Sequence, residues 1–541
     1  MRPVRSDPTL KMLESRVLEH AKDFGMTLPE VRFFILDSLE FASLLEKRVY
    51  PRSPANIWEG KRMVTKKFRI REGYESSLYY EVVQTGNPSY AYLNDTNSPM
   101  MQASVMAHVC GHCEFSELNV LEDSNPDRTE RVLWQVGKVA SGRRQMGERR
   151  FRHFWNAAES ALPLLSPNSQ FNLARSVETD HLIGGKRGDR KPKAGTGKTR
   201  FLPQSSTLDT LLQTNKPDTV LTQDLLQKRD QEDIHRRGYR LVLPCQDIFG
   251  FLRNFAPLTP AERTVFDYLY LTHAPSDFVL RTQIMNEGWA MYWEKKIMLR
   301  LFGEGSVKGV IDYAKVFSGV CRPRPFYQRN PYHLGFYLWC HIEDLYRKGR
   351  VSLAYLEEVD QLKKSTWNKS EGRLPLASMR HLVETVSDYE FLRRFLTADL
   401  IFKFHLNRVS HRDMVRLGVS KKEVMKEDEH WVWLDPEMVK VEMLKFYTHF
   451  YRPRIYIIDT DFEDGGLLLF HRNDGRRLMT SWIKPTLKNL NQIWKGGVTL
   501  VSRTGLFGYS GGKYKEMPIP EITFEMVLDR MKQGKKPLRL E

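Results

Sequence analysis

The sequence predicts an α+β protein that is predominantly helical, with a large helical body and a small C-terminal α+β domain. Apolar residues recur at spacings of three and four through much of residues 1–410, which is typical of helices that pack on a core. Short β-rich runs separated by glycine turns replace that spacing in residues 455–501. A chain of 541 residues is too long to fold around one ordinary hydrophobic core. Its content of 41% hydrophobic residues excludes global disorder.

The first 182 residues carry helical patterns around a pair of predicted strands. Alternation over residues 77–93 predicts one or two strands. Ser98 is a suitable N-cap and Pro99 suits the first helical position, so we expect a helix over residues 99–120. Residues 128–163 form a charged stretch with helical spacing. The earlier helical pattern comprises Leu10, Leu13, Val17 and Leu18, then Val31, Phe34, Ile35 and Leu39, and the strands centre on Tyr79, Tyr80, Val82 and Val83.

Residues 183–207 interrupt these patterns with a basic tract, in which residues 186–200 contain no large apolar side chain. Such a composition cannot build a core and favours a flexible linker. Residues 195–199 (GTGKT) are similar to the end of a phosphate-binding P-loop. However, the first glycine of that motif would fall at Pro192, and no apolar strand precedes it. We therefore expect no nucleotide site in this tract.

The rest of the chain divides into a helical part and a β-containing part. We predict five parts in sequence: a helical or α+β part (1–182), the basic linker (183–207), a second helical part (208–410), a polar linker (411–437) and a small α+β domain (438–541). The expected helices of the second part cover residues 261–272, 278–302, 334–348 and 379–407. In the last part, strands are expected at 455–459, 467–470 and 498–501, with a helix at 487–494.

The charge is strongly basic, with 83 Lys and Arg residues against 66 Asp and Glu residues and a formal net charge of +17. This excess attracts anionic partners such as nucleic acid, acidic lipid or a wall polymer. A solvated basic surface is the simpler explanation. Nucleic acid is not an expected partner, because neither interleaved aromatic residues nor a recognised module accompanies the basic tract.

Cysteine usage and hydropathy favour a cytoplasmic protein. The five cysteines are an odd and low number for this length, so no disulfide framework is expected. The first residues lack the apolar region of a secretory signal, and no apolar run approaches the roughly 20 residues of a membrane-spanning helix. Cys110 and Cys113 form a single CxxC pair, which we interpret as small buried residues rather than a redox or zinc motif.

The most specific local feature is the pair His108 and His112 within the helix expected over residues 99–120. Residues four apart project from one helix face, so their two imidazoles can bind one metal ion, as in the HExxH zinc motif. The glutamate of that motif is replaced by Val109, so the usual water-activating base is missing from its usual place. Glu114 and Glu117 are candidates to replace it. The alternative is a chance pair with one histidine satisfied inside the core.

A second candidate is Glu287, which lies in a strongly helical stretch. A glutamate from another helix completes the two-histidine site of many zinc hydrolases. Glu294 follows two turns later on the same face and could be a further ligand or the general base. The separation of 175 residues (287 − 112) leaves contact with the histidines open. The alternative is an exposed charge pair with Trp289 and Trp293 packing inward.

Several segments together carry a family pattern. Residues 89–93 and 108–115 are similar to a YAYL element followed by an AHxxGHxDFF helix, and residues 282–290 are similar to TQxMNEGWA. Residues 330–336 resemble NPYxLGF, and residues 386–396 resemble a SFIxxFL element. These motifs occur in order, and together they resemble the stage V sporulation protein R (SpoVR) family.

The resemblance implies a role in late endospore development, in forming the peptidoglycan cortex, or in stationary-phase and stress responses alongside a P-loop serine protein kinase. Two departures stand out. Relatives tend to have histidine where this chain has Glu294, and their DACHAL segment corresponds to residues 156–162, with Glu159 near the histidine position. The two histidine-to-glutamate differences suggest a coordinated change in a divergent branch.

Two functional hypotheses follow. In the first, a divalent metal ion, expected to be zinc, is bound by His108, His112 and Glu287 in a zincin-like site. It lowers the pKa of a bound water toward ~7 for hydrolysis of an amide in peptidoglycan, its precursors or a peptide. Glu114 or Glu294 would act as the catalytic general base. In the second hypothesis the protein is a non-catalytic adaptor in an assembly of the serine kinase and its associated proteins. Metal content distinguishes the two.

Overall fold

Helices predominate in the described part of the chain, and the site-bearing helices begin at side-chain caps that the sequence supplies. This computed structural model describes residues 1–37, 40–41, 81–122, 128–167, 171, 173–175, 239–369, 375–449, 453–463, 465–474 and 478–538. The basic tract 183–207, with its P-loop-like segment, and the expected positions Leu39, Tyr79 and Tyr80 lie outside these residues.

Four of the described helices share one start signal, an Asp, Ser or Asn side chain that accepts a backbone N–H of the first turn, followed by proline. The capping residues are Asp7, Ser98, Asn330 and Asp435. The helices are, in chain order, α1 (Pro8–Asp23), α2 (Pro99–Leu118), α3 (Arg128–Met146), α4 (Glu148–Ser160), α5 (Ile248–Phe255), α6 (Pro260–Gly303), α7 (Val310–Val320), α8 (Pro331–Arg347), α9 (Leu353–Glu357), α10 (Gln361–Ser365), α11 (Pro375–Thr385), α12 (Asp388–Phe395), α13 (Ala398–Lys403), α14 (His411–Leu417), α15 (Pro436–His449), α16 (Thr480–Trp494) and α17 (Phe524–Lys532).

The strands form small sheets rather than one large one. They are β1 (Arg2–Pro3), β2 (Val31–Leu36), β3 (Glu81–Gln84), β4 (Ser89–Asn94), β5 (Leu173–Arg175), β6 (Tyr239–Leu241), β7 (Arg408–Ser410), β8 (Val424–Glu427), β9 (Trp431–Leu434), β10 (Arg454–Phe462), β11 (Gly466–Arg472), β12 (Val498–Ser502), β13 (Gly505–Ser510) and β14 (Lys513–Pro518). The sheet orders are β1-β2-β4-β3, β5-β6, β7-β9-β8 and β10-β11-β12-β13-β14.

One compact unit comprises Met1–Glu130 and Phe278–Phe450. Its core is a single cluster of buried side chains contributed by α1, α2, the C-terminal part of α6, α8 and α11–α13. In the first sheet β2 and β4 run parallel, and β1 and β3 pair antiparallel at the edges. α2 follows β4 directly, so the sheet fixes where α2 enters the core.

The other compact unit comprises Arg131–Asp277 and Tyr451–Glu541. Its main sheet has β11 and β12 parallel, with α16 as the connection, and antiparallel pairs at either side. Cys245 bridges to Ile457 and so ties the segment before α5 to β10. The boundary between residues 277 and 278 falls within α6. No helix among the residues described here combines the length and apolar character of a membrane span.

The α+β, predominantly helical class is confirmed, and the strands and the helix expected near the C-terminus are present. The helical interpretation of Val31, Phe34 and Ile35 is wrong. These residues lie in β2, because a run of β-branched and aromatic residues pairs in register with β4 and buries alternate side chains. Spacings of three and four coincide there with an apolar strand.

Three further expectations about element boundaries differ from the structure. The segments 261–272 and 278–302 are one helix, α6, with Pro275 inside it, whereas 379–407 is divided among α11, α12 and α13. Residues 411–437, expected as a linker, contain α14 and the β8–β9 hairpin. The sequential five-part division stays a prediction; the compact units described above each combine stretches that are distant in sequence.

Candidate metal centre

α2 places polar side chains inside the core of its unit. Residues 102–111 are all buried, so α2 is surrounded by protein rather than exposed on one face. Ser104, His108 and His112 recur every four residues and therefore form one polar stripe along the helix. Buried hydroxyl and imidazole groups require hydrogen-bonding partners, and these come from α6.

α2 and α6 approach each other closely because a glycine lies at their contact. A Cβ atom at Gly111 would be 2.5 Å from the Cα of Ala290, far inside the contact distance. Only glycine therefore fits there. The close approach brings Glu287, one turn before Ala290, and Glu294, one turn after it, opposite the polar stripe of α2.

A second glycine contact positions α8 against α6. A Cβ atom at Gly288 would lie 2.2 Å from the carbonyl carbon of Gly335. This contact brings Tyr332, in the first turn of α8, beside the centre. Its ring centroid is 6.1 Å from that of His108, and its side chain interacts with the carboxyl of Glu287.

The structure brings His108, His112 and Glu287 together, each with one ligand atom within 4.8 Å of the others. Glu287 Oε2 is 3.6 Å from His108 Nε2 and 3.5 Å from His112 Nε2. These separations are too long for hydrogen bonds. Ligand atoms about 2.0–2.2 Å from a tetrahedral zinc ion lie roughly 3.3–3.6 Å apart, so both carboxylate–imidazole separations fit a shared ion.

The opposite nitrogen of each imidazole is held by an acceptor. His108 Nδ1 donates to Glu294 Oε2 at 2.9 Å, and Glu294 Oε1 also accepts from the Ser104 hydroxyl at 2.6 Å. His112 Nδ1 donates to the side-chain oxygen of Asn286 at 2.8 Å. A neutral histidine that donates through Nδ1 has an acceptor at Nε2. Such outer partners fix tautomer and ring orientation in metal sites.

Three lone-pair-bearing atoms therefore point at one another. Glu287 Oε2 is buried and has no hydrogen-bond partner, and it faces Nε2 of both His108 and His112. Buried acceptors are rarely left unsatisfied, and neighbouring lone pairs repel. A cation among these atoms would satisfy the Glu287 oxygen and could be bound by both imidazoles. The cluster could thus hold a metal ion.

The charge state of Glu287 suits this role. Burial alone would raise the pKa of its carboxyl, but the facing imidazoles of His108 and His112 and the side chain of Tyr332 favour the ionised form, outweigh burial and hold the pKa below its usual range. Glu287 is therefore ionised at neutral pH and can act as an anionic ligand.

Glu294 does not occupy the position expected of a ligand or base. Its two carboxylate oxygens contact His108 Nδ1 and Ser104, on the side of the ring away from Glu287. The geometry makes it a positioning residue for His108. The sequence placed it correctly two turns after Glu287, but helix spacing does not distinguish which ring nitrogen a carboxylate meets.

Glu114 is also engaged elsewhere. It is fully buried, accepts the indole N–H of Trp289 at 3.0 Å and the backbone N–H of Thr27 at 3.2 Å, and pairs with Arg380 at 2.8 Å. Being two residues after His112, it projects to another side of α2. Its contacts are those of a structural ion pair, and the structure does not bring it into the cluster.

The other acidic candidates are exposed. Glu117 is exposed near the C-terminal end of α2, and Glu159 is exposed on α4 in the other compact unit. Cys110 and Cys113 are both buried and unbridged, and burial raises the pKa of the Cys110 thiol well above its usual value. That pair acts as small core residues.

Comparison with known proteins agrees with the motifs. Residues 6–441 match the family described as SpoVR like protein. The chain belongs to this family. Among curated proteins, Uncharacterized protein YcgB of Escherichia coli (strain K12) is 23% identical over 458 residues, covering 82% of this chain and 81% of that protein. No solved structure matches significantly.

In this SpoVR-family protein, the family motifs divide into packing and polar positions. Gly111, Gly288 and Gly335 allow three helices to touch. Asn286 and Tyr332, which sequence reasoning missed, contact His112 and Glu287. Both residues lie within the family motifs, but the single sequence signal for Asn286 is its position next to Glu287, and Tyr332 has no signal of its own.

Proposed function

We propose that this protein is a zinc-dependent hydrolase of amide bonds, with His108, His112 and Glu287 as ligands. The observation that supports the proposal is the convergence of two Nδ1-anchored imidazoles on a buried carboxylate oxygen that has no hydrogen-bond partner. Nitrogen and oxygen ligands at this spacing suit zinc. Structural zinc sites are closed by four protein ligands, whereas three ligands leave a position for water and substrate.

A bound zinc ion would acidify a water toward pKa ~7 and polarise the scissile carbonyl. In the hydrolysis, the water oxygen bonds to the carbonyl carbon, the C–N bond breaks, and the departing nitrogen takes a proton. Glu287 and the two imidazoles would bind the ion, and Glu294 and Asn286 fix the orientation of the imidazole rings. Tyr332 interacts with Glu287 and so lies close enough to donate a hydrogen bond to the substrate or to the water. No free carboxylate base is required if the water is already acidic.

The biological setting belongs to the same proposal. Membership of the SpoVR family supports a link to sporulation. We propose that it acts in the cytoplasm on peptidoglycan precursors or a related peptide, in cortex formation or in a stationary-phase stress response. A P-loop serine protein kinase and its associated proteins are the partners to test.

A second candidate is the non-catalytic adaptor. The observation that favours it is the engagement of both sequence-predicted bases, Glu114 and Glu294, in other contacts. In that case the cluster would stabilise the helices, and binding of the kinase would depend on the surface. The three-ligand arrangement argues against it, because it leaves the centre open.

Metal content tests the proposal. The wild type, purified with added zinc and then dialysed, should retain about one zinc per chain. His112→Ala and Glu287→Gln should retain little, because each removes a ligand. His381→Ala is the matched control, since His381 is exposed in the same compact unit. A folded wild type that binds no divalent metal would refute the proposed centre.

The adaptor is tested with the same variants. If zinc-loaded wild type and His112→Ala bind the kinase equally, and neither cleaves peptide substrates, the adaptor explains the protein. Cleavage of a peptide that is lost in His112→Ala but kept in His381→Ala supports the hydrolase.

A further inference from the structure

A cavity of about 420 Å³ lies beside the candidate centre and shares His108, Glu294 and Tyr332 with it. This volume is within the range of roughly 300–1,000 Å³ for small-molecule sites. Much of its remaining lining is apolar, from α2, α6 and α7: Met101, Val105, Met291, Val316, Phe317 and Val320. Such walls favour an apolar group of the ligand.

Arg324 provides the one cationic side chain in this lining. It is exposed, and in the part of the chain described here its guanidinium forms neither an ion pair nor a side-chain hydrogen bond. Arg329, in the same loop between α7 and α8, lies instead over the ring of Phe446, with 3.4 Å to the ring centroid. Arg324 is thus available to an anion at the cavity.

The start of α8 reinforces the positive character of this region. Asn330, Pro331 and Tyr332 line the cavity at the N-terminus of a 17-residue helix. A helix N-terminus carries partial positive charge that favours anions. The acidic side chain in the lining, Glu294, is committed to His108 and Ser104. An apolar cavity with one available guanidinium fits a carboxylate next to an apolar side chain.

We propose that the substrates are peptides or N-acylated amino acids that end in an apolar residue with a free α-carboxylate. The side chain of that last residue would occupy the cavity, and its carboxylate would pair with Arg324. This inference rests on the proposed hydrolase. Hydrolysis would then break the last amide bond: water oxygen joins the acyl carbon, and the nitrogen takes a proton and leaves as a free apolar amino acid. Phosphate esters fit less well, because a dianion requires more donors than one guanidinium.

Calorimetric titration of the zinc-loaded protein tests this with small probes. N-acetyl-L-phenylalanine should bind, and its C-terminal amide should bind about tenfold or more weakly, since a charge-assisted bond is lost. N-acetyl-L-alanine should also bind about tenfold or more weakly, because less apolar surface is buried. Phenyl phosphate is the competing anion and should bind less tightly than the acid.

Variants of two neighbouring arginines provide the internal control. Arg324→Gln should lose the preference for acid over amide. Arg322→Gln removes an equally exposed arginine that does not line the cavity, and it should change acid affinity less than about twofold. A carboxylate that bound zinc instead would be insensitive to Arg324→Gln.

The outcomes separate the two proposals. The substrate class is overturned, and the metal centre is not, if the protein binds zinc and any one of four results is found. These results are no affinity for any acid, equal affinity for acid and amide, tighter binding of phenyl phosphate, and no effect of Arg324→Gln. Failure of the wild type to bind zinc overturns the hydrolase itself, as measured separately by metal content.

Discussion

Gly288→Ala places a methyl group where α6 crosses α8. Its Cβ would lie 2.2 Å from the carbonyl carbon of Gly335 and 2.4 Å from the Gly335 Cα. Carbon atoms in contact are ordinarily about 3.5–4.0 Å apart, so the two backbones must separate by more than about 1 Å. Backbone atoms cannot rotate out of the way as a flexible side chain would.

The expected magnitude follows from two opposing effects. Alanine is favoured over glycine in a helix interior by about 0.8–1.0 kcal/mol. Overpacking a well-packed contact costs about 1–3 kcal/mol and sometimes more, and separation also loosens Trp289 from Trp339, whose ring centroids are 4.9 Å apart. From these two ranges we expect a net loss of up to about 2 kcal/mol in the free energy of unfolding, and a stability about 1–3 kcal/mol below that of a Gly→Ala variant without a clash. Zinc affinity should fall too, because α8 carries Tyr332.

Urea unfolding followed by tryptophan fluorescence measures the effect, and Gly303→Ala is the matched control. Gly303 is in the same helix, and an added Cβ there meets nothing within 4 Å. That variant should be unchanged or slightly more stable. If Gly288→Ala is as stable as Gly303→Ala, the glycine contact does not set the distance between α6 and α8.

Three further predictions concern buried carboxylates. Glu294→Gln should weaken zinc binding about 10- to 100-fold in a chelator competition while keeping the fold, because one of its two contacts to His108 and Ser104 is lost; unchanged affinity would remove its positioning role. Arg380→Met should cost about 3–5 kcal/mol of unfolding free energy by leaving Glu114 buried without its ion-pair partner, and adding Glu114→Gln should recover much of it; equal stabilities of the single and double variants would contradict this. Burial raises the pKa of Asp388 to about 8. Because the folded pKa lies above the unfolded one, the wild type should lose stability as pH rises from about 4 toward 8. Asp388→Asn should flatten that dependence when urea unfolding is compared at pH 5 and 8. The same pH dependence in both proteins would refute the raised pKa of Asp388.

The helical positions of the candidate ligands followed from local rules. Ser98 and Pro99 fix the start of α2, and from there the spacing of His108 and His112 dictates that they share a face. Glu287 and Glu294 are likewise on one face of α6 by spacing alone. These inferences succeed because helix geometry is set within a few residues and depends little on the rest of the fold.

The partners of the other buried carboxylates are distant in the sequence, so they could not be predicted from it. Glu114 meets Arg380, which lies 266 residues later, and Asp388 accepts the backbone N–H groups of Ile284 and Met285. Which acidic group becomes a buried structural acceptor depends on packing between helices that are distant in sequence. The same limit explains β2: its spacing suits a helix, and pairing with β4 decides otherwise.

The replacement of the motif glutamate by Val109 has a structural reason that bears on mechanism. Val109 is fully buried in the core cluster, so a carboxylate at that position would be desolvated among apolar side chains at a cost of several kcal/mol. In the proposed hydrolase, any side chain that assists the metal-bound water would therefore come from α6 or α8, opposite α2. On α6 both oxygens of Glu294 are occupied, whereas Tyr332 on α8 is a protic group whose side chain interacts with Glu287. Tyr332→Phe should accordingly lower turnover more than zinc affinity, and a larger loss of zinc than of turnover would assign Tyr332 to ligand positioning instead.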